Sequence, residues 1–162
     1  MKVLGIDPGL NVTGYALVDS VSESFKLCEA GIIRSKPSHP LERRLLDLFD
    51  GVTGIIEEFA PDVLSVEELY SHYQHPKTSV IMGHARGVLF LAAGRAHIPV
   101  FSYSATRIKK AITGRGHATK EQVARMIGMK LHWSDENVAA DVTDAIAAAL
   151  CHIHIISHGG GL

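Results

Sequence analysis

The chain opens on a short apolar run that ends in an acid. Val3, Leu4 and Ile6 read as a strand, Asp7 closes it, and Gly14 to Val18 reads as a second strand. Pro8, Gly9 and Asn11 lie between them and supply turn chemistry, because proline fixes φ while glycine and asparagine tolerate positive φ. The segment therefore reads as a hairpin that folds back along its first strand. A carboxylate at the end of a buried apolar run is costly unless something compensates it. Two readings of Asp7 stand side by side: an Asx-type turn satisfied by nearby backbone N–H groups, or a metal ligand. The second needs other carboxylates that the fold can bring to the same edge.

After the hairpin, Phe25 to Ile33 reads as a third strand. Leu41, Leu45, Leu48, Val52, Ile55 or Ile56, and Phe59 recur at steps of three and four, which predicts a helix over 41–59. Pro40 suits its entry and Pro61 its stop, while Gly51 and Gly54 weaken it. Val63, Leu64 and Val66 then form an apolar run suited to a covered sheet, and it too ends in acids, Glu67 and Glu68. Side chains on a strand alternate, so one of the two faces a site and the other solvent. Tyr70 and Tyr73 follow in a polar loop with His72, Gln74, His75 and Lys77. That mixture suits base stacking and phosphate contact, and equally tyrosines packed beneath a loop.

Residues 78–96 read as a second long helix with an apolar stripe of Val80, Gly83 or His84, Gly87 or Val88, and Leu91 or Ala92. Its small residues permit close approach to a sheet or to a partner chain. Pro99 to Ser102 reads as a strand, and Ser104 as the cap of a helix from Ala105 to Thr113 that Gly114 ends. Thr119 with Gln122 three residues on has the form of a capping box for a helix to about Leu131. A last helix is expected from Ser134 or Asp135 to about Ile156, with Val138, Val142, Ala145, Ile146, Ala149 and Ile153 on one face. On it Asp141 and Asp144 stand three apart, about one turn, among alanines. Two desolvated like charges repel, and a cation between them reverses the sign. An exposed acidic first turn, favoured by the helix dipole, is the other reading.

Formal net charge is −1, yet the stretch from Arg107 to Lys130 holds seven basic residues and one acid, so it carries +6 against −7 for the remainder. Such segregation makes a local positive field suited to a polyanion, although charges on a solvated helical face look the same in sequence. Its members include Arg107, Lys109, Lys110, Arg115 and Lys120. Apolar content is 46%, enough for one folded domain over 1–156 with a loose tail over 157–162. No run of about eighteen apolar residues and no leader pattern is expected to meet a membrane. Two cysteines, Cys28 and Cys151, suit a reducing cytoplasm and read as small core residues. His152, His154 and His158 read as a packed or solvated helix end rather than a metal site.

Four carboxylates thus stand out: Asp7, Glu67 or Glu68, Asp141 and Asp144. If the first and fourth strands are parallel neighbours, their acidic ends are adjacent, and a C-terminal helix laid across the sheet brings both Asp141 and Asp144 to that edge. Oxygen ligands without thiolates select hard cations, Mg²⁺ or Mn²⁺. Four acids can hold two such ions around a phosphate, where they activate water and stabilise the leaving oxygen of an in-line phosphodiester hydrolysis.

Taken together, Gly5-Ile6-Asp7-Pro8-Gly9 with Thr13-Gly14-Tyr15, then Val66-Glu67-Glu68, then Ala85-Arg86-Gly87-Val88, and Ala140-Asp141-Val142-Thr143-Asp144-Ala145-Ile146-Ala147 resemble the RuvC family of bacterial Holliday-junction resolvases. The likeness runs from about Met1 to Ile155. It implies an α/β, RNase H-like fold, a five-stranded mixed sheet with helices on both faces. It implies a cytoplasmic homodimer that nicks two opposed strands of a four-way DNA junction, uses two Mg²⁺ per site with Mn²⁺ as substitute, and works with a RuvA–RuvB branch-migration complex. The family's acids fall on Asp7, Glu67, Asp141 and Asp144, which selects Glu67 over Glu68. Lys109 and Lys120 match lysines near the scissile phosphate. Tyr70 stands where the family has a junction-stacking aromatic, usually phenylalanine. Arg107, Lys110 and Arg115 are expected to grip DNA phosphates, and helix 78–96 to form the dimer interface. Other readings are an RNase H-like nuclease acting on RNA or non-junction DNA, and a junction-binding module without catalysis.

Overall fold

Five strands form one mixed sheet, and the computed structural model describes residues 1–21, 24–69, 76–132 and 139–159. The elements are β1 (Lys2–Asp7), β2 (Val12–Val21), β3 (Ser24–Arg34), α1 (Leu41–Phe59), β4 (Val63–Glu67), α2 (Pro76–Arg95), β5 (Val100–Tyr103), α3 (Ala105–Thr113), α4 (Lys120–Leu131) and α5 (Ala140–Ser157). The strand order is β3-β2-β1-β4-β5. β1 pairs antiparallel with β2 and β2 with β3, whereas β1–β4 and β4–β5 are parallel.

Alternation along the strands divides the apolar residues between two cores. Leu4, Ile6, Leu17, Leu64 and Val66 pack beneath α1 and α2, and Val3, Ala16, Val18 and Val63 pack beneath α3, α4 and α5. The same alternation carries Gly5 and Asp7 of β1, and Ser65 and Glu67 of β4, to the α5 side. The buried Ser65 hydroxyl donates to the Ala148 carbonyl at 2.7 Å, which ties β4 to α5.

Two glycines bring α5 onto the sheet. A Cβ on Gly5 would land on the Ala145 carbonyl oxygen, and one on Gly14 would land on the carbonyl oxygen of Asp141. Backbone therefore rests on backbone at both points. The expected face of α5 is buried, and the helix is enclosed all round from Ala145 to Ile153: Ala147, Ala148, Leu150, Cys151 and His152 are buried as well. This helix has the length and apolar composition to cross a membrane, but those features here serve a central core helix. His152 lies 2.7 Å from the Tyr103 hydroxyl in a buried hydrogen bond and 4.6 Å, centroid to centroid, from Phe101.

The expected helix ends are present. α1 begins after Pro40 and ends at Ala60 in a left-handed conformation, one residue before Pro61. The Ser104 side chain accepts from the Arg107 N–H, Gly114 closes α3 at φ 77°, and Thr119 and Gln122 form a reciprocal capping box. Several expectations need correction. The turn after Asp7 uses no positive φ: Gly9 is required because the Val12 carbonyl folds back onto it, and its N–H donates to Thr13 Oγ1 at 3.2 Å. Cys28 is exposed on β3, so only Cys151 is a core thiol. On α2 the buried residues are Ala85, Leu89, Ala92 and Ala93, whereas Val80 (59% exposed) and Leu91 (62%) of the expected stripe point outward. Its N-terminal half is rich in small residues, and a stripe drawn through them rotates away from the true contact face. The expected start of the last helix at 134–135, Val138 and the loop holding Tyr70 and Tyr73 lie outside the described residues, as do residues 160–162 of the expected tail.

The close approach at Gly14 yields a stability prediction. Gly14→Ala must push the start of α5 off β2, at a cost of about 1–3 kcal/mol for overpacking. Gly54→Ala, with nothing within 4 Å of the added methyl, should stabilise slightly through helix propensity. Urea unfolding midpoints of the two variants against wild type check the contrast.

Candidate active site

The register of β1 and β4 sets the site. Ile6 pairs with Val66, so the next residues, Asp7 and Glu67, end their strands side by side on the α5 face. α5 then passes over Gly14, the partner of Asp7 in β2, and carries Asp141 and Asp144 to the same edge. α3 and α4 approach from the other side with Lys109 and Lys120. The result is a cavity of about 310 Å³ lined by Asp7, Glu67, Asp144, Lys109 and Lys120, with Ile108, Val123 and Ala147 among its apolar walls. Asp141 stands outside this lining. It still acts on Asp7, whose carboxyl feels its charge.

The charges do not balance within the cavity. Burial, then the charges of Asp144, Glu67 and Asp141, push the Asp7 carboxyl from its ordinary 3.8 to about 7. Burial and Asp144 also raise Glu67, while Lys120 and Lys109 hold it down. Lys120 Nζ donates to Asp144 Oδ2 at 2.7 Å, and this bond raises the pKa of the ammonium group. Among the described residues Asp7 accepts no hydrogen bond, so the Asx-turn reading has no counterpart. Glu68 is exposed beyond the strand, and its N–H donates to the Tyr103 carbonyl at 2.9 Å.

A donor set of carboxylate oxygens with no thiolate or imidazole in the cavity suits a hard divalent cation. Positive charge placed among these acids also offsets the repulsion that, after burial, raises the Asp7 carboxyl. Among the described residues no three acidic, imidazole or thiol side chains already close around one point, and one oxygen of Asp144 is engaged by Lys120. The carboxylates therefore fit the ion by chemistry and charge, and Lys120, bonded to Asp144, is the cation now beside them.

The other expected contacts separate. Arg107 lies over the Tyr103 ring at 5.4 Å, outside the cavity, and Lys110 is exposed on α3. Arg115 lines a second cavity of about 440 Å³ with Arg125, Gln122 and Met126, at the junction of α3 and α4. Tyr70 lies outside the described residues. One residue quoted in a motif without a role proves central: Arg86 of α2 donates to the backbone carbonyl of Glu67. A lone arginine among small and apolar helix residues is the signal that could have marked it.

The geometry can be set beside known proteins. The model of the family described as crossover junction endodeoxyribonuclease RuvC matches residues 3–152. A protein of that name from Rhodopirellula baltica is 44% identical over 149 residues, covering 92% of this chain and 84% of the relative. One from Desulforamulus reducens is 37% identical over 161 residues, covering 99% and 98%. Among solved structures, T. thermophilus RuvC in complex with a Holliday junction substrate superposes with a TM-score of 0.92 at 30% identity, covering 99% of this chain and 97% of that one. The fold is RNase H-like, as that match requires.

The raised Asp7 carboxyl has a consequence for metal-free protein. Unfolded Asp7 loses its proton near pH 3.8 and the folded one near 7, so between these values only the folded chain holds it. Stability from this group is complete below about pH 4 and is lost as pH rises through 7. Asp7→Asn removes the group, so in EDTA its stability relative to wild type should increase between pH 5 and pH 8. The expected gain is on the order of 2 kcal/mol, allowing for solvent in the open cleft. Denaturant midpoints of both proteins at the two pH values check it, and an unchanged difference rejects the charge assignment.

Proposed function

The chain belongs to the crossover junction endodeoxyribonuclease RuvC family, and from that membership we propose how its residues perform the family's reaction. It is a divalent-metal-dependent endodeoxyribonuclease that resolves four-way DNA junctions in recombination and repair. The observation that carries the residue assignment is the convergence of Asp7, Glu67 and Asp144 on one cavity, with Asp141 acting on Asp7 from beside it.

In this reading Asp7, Glu67, Asp141 and Asp144 would hold two Mg²⁺ ions, with Mn²⁺ as a substitute; bound there, they would supply an activated water and charge stabilisation at the leaving oxygen. The protein's own groups do the rest. Lys120, bonded to Asp144 and largely exposed, offers an ammonium at the rim of the cleft where a backbone phosphate enters. Lys109 adds a second positive charge on the same rim. Both hold the strand over the acids and offset the repulsion between a phosphodiester and four carboxylates. The apolar walls around Ile108 and Val123 keep the acids from being freely hydrated, which strengthens each charge interaction. Arg115 and Arg125 on α4's flank, together with Lys110 and Arg107, extend the positive surface along an arm of the junction. Tyr70 stacks on bases at the junction centre.

Two cuts on opposed strands need two sites related by a two-fold axis. The outward face of α2 suits a second copy of this chain, because Val80 and Leu91 are uncovered there and Gly83, Gly87 and Gly94 leave a flat ridge. A cytoplasmic location and work beside a RuvA–RuvB complex go with a DNA substrate of this kind in a bacterial family.

Cleavage of a synthetic four-way junction against a linear duplex of the same sequence tests the reading. Junction nicking at symmetric positions with 5′-phosphate ends is expected with Mg²⁺ and none with EDTA. Asp7→Asn should bind the junction normally and fail to cut; normal cutting by that variant overturns the assignment. Lys120→Ala and Arg115→Ala should each flatten the slope of log affinity against log salt by about one phosphate contact. For the interface, Leu91→Asp should convert a dimer to a monomer by light scattering.

A further inference from the structure

Arg86 sits on the wrong side of the sheet for an active-site residue. α2 packs through Ala85 and Leu89 against the core opposite α5, while the acids lie on the α5 side. A side chain from α2 can thus influence the acids only through the strand that carries them. Arg86 reaches that strand at one place. One terminal nitrogen of its guanidinium donates to the main-chain carbonyl of Glu67, and the other donates to Ser102 Oγ of β5 at 2.5 Å. The Phe90 ring, one turn further along α2, covers the guanidinium at 4.8 Å. The group is half-buried, and Glu68 contributes a nearby negative charge.

We propose that Arg86 is a positioning residue which locks the end of β4, and so the Glu67 carboxylate, in register with Asp7, and which joins that end to the outward-facing helix α2. The inference rests on the nuclease reading above. β4 is five residues long, and Glu67 is its last, where a strand has least support of its own. Beyond it the Glu68 N–H bonds to the Tyr103 carbonyl, which holds the chain to β5 from one side only. Arg86 supplies the remaining fixation, and it needs two N–H groups aimed at different acceptors. A guanidinium does this with a rigid fork, whereas a lysine offers a single point and reaches one acceptor at a time. Phe90 is partly exposed toward the outward face of α2, so the packing of that face and the seating of the guanidinium share a side chain.

The test compares wild type, Arg86→Ala, Arg86→Lys and Ser102→Ala. Each is measured for folding by circular dichroism, for junction binding in EDTA, for cutting rate, and for Mn²⁺ affinity of the DNA-free protein by the EPR signal of free Mn²⁺. Removing a partner that orients a metal-binding group typically costs 10–100-fold, so about that loss is expected for Arg86→Ala in both cutting rate and Mn²⁺ affinity. Junction binding should stay within about twofold, because the phosphate contacts are untouched. Arg86→Lys should lie between, Ser102→Ala should show a smaller loss in the same direction, and guanidinium ion should restore part of the Arg86→Ala rate where an equal concentration of NaCl does not. Wild-type rate and Mn²⁺ affinity in Arg86→Ala overturn the proposal, as does a loss of thermal stability with Mn²⁺ affinity unchanged. If Arg86→Ala does not fold, Arg86→Lys and Ser102→Ala decide by the same two readouts. A wild-type protein that fails to cut junctions defeats the nuclease reading instead, while the Mn²⁺ comparison still judges Arg86.

Discussion

The direct rest of α5 on the strands at Gly5 and Gly14 is the contact on which the remaining geometry depends. At both points a helix backbone meets a strand backbone with no side chain between them. Contact at this distance does two things. It fills the centre of one core with the Ala-rich middle of α5, whose short side chains fit the narrow space left above β1, β2 and β4. It also sets the first turn of the helix immediately over the end of β1, so that Asp141 and Asp144 stand beside Asp7. A larger residue at position 5 or 14 lifts the helix and widens the site together.

The site so formed is unfavourable by itself. Burial, and then the charges of neighbouring carboxylates, raise the proton affinity of Asp7 and of Glu67, and Asp7 feels all three of the other acids. Lys120 relieves part of the repulsion by bonding to Asp144, and Lys109 acts on Glu67. The two lysines come from short helices that share the α5 core through Ile108, Ile112, Val123 and Ile127, so the apolar packing that stabilises α3 and α4 also aims their cations. A divalent cation is the natural complement to what remains.

Opposite the acids, α2 presents a contrasting design. Its inner face is Ala and Leu packed on the sheet, its outer face carries apolar residues without cover, and Arg86 runs from between them to the Glu67 backbone. The sheet thus transmits position between its two sides through main-chain groups, which do not depend on which way a side chain points.

Much of this was legible in the sequence. Asp7 and Glu67 are marked by apolar runs that end in acid, and Asp141 and Asp144 by their three-residue spacing on an alanine-rich helix. The caps at Ser104 and Thr119 are local chemistry and fell where the residues said. Periodicity misplaced the contact face of α2, where glycines and alanines give little contrast between faces; on α5 the marked face is buried as expected, but from Ala145 to Ile153 so are the other sides. Gly9 and Gly14 read as turn or strand residues, but their task is to admit another backbone, and that is visible only when the other backbone is present. What the residues alone determined is the set of acids, the strand and helix segments and the basic stretch, because each follows from neighbours a few positions apart. What the tertiary structure alone decided is that Asp141 stands beside the cavity while Asp144 lines it, that Arg115 lines a separate cavity from Lys109 and Lys120, and that Arg86 holds Glu67 from across the sheet. Those depend on register and on contacts between segments dozens of residues apart, which no local pattern encodes.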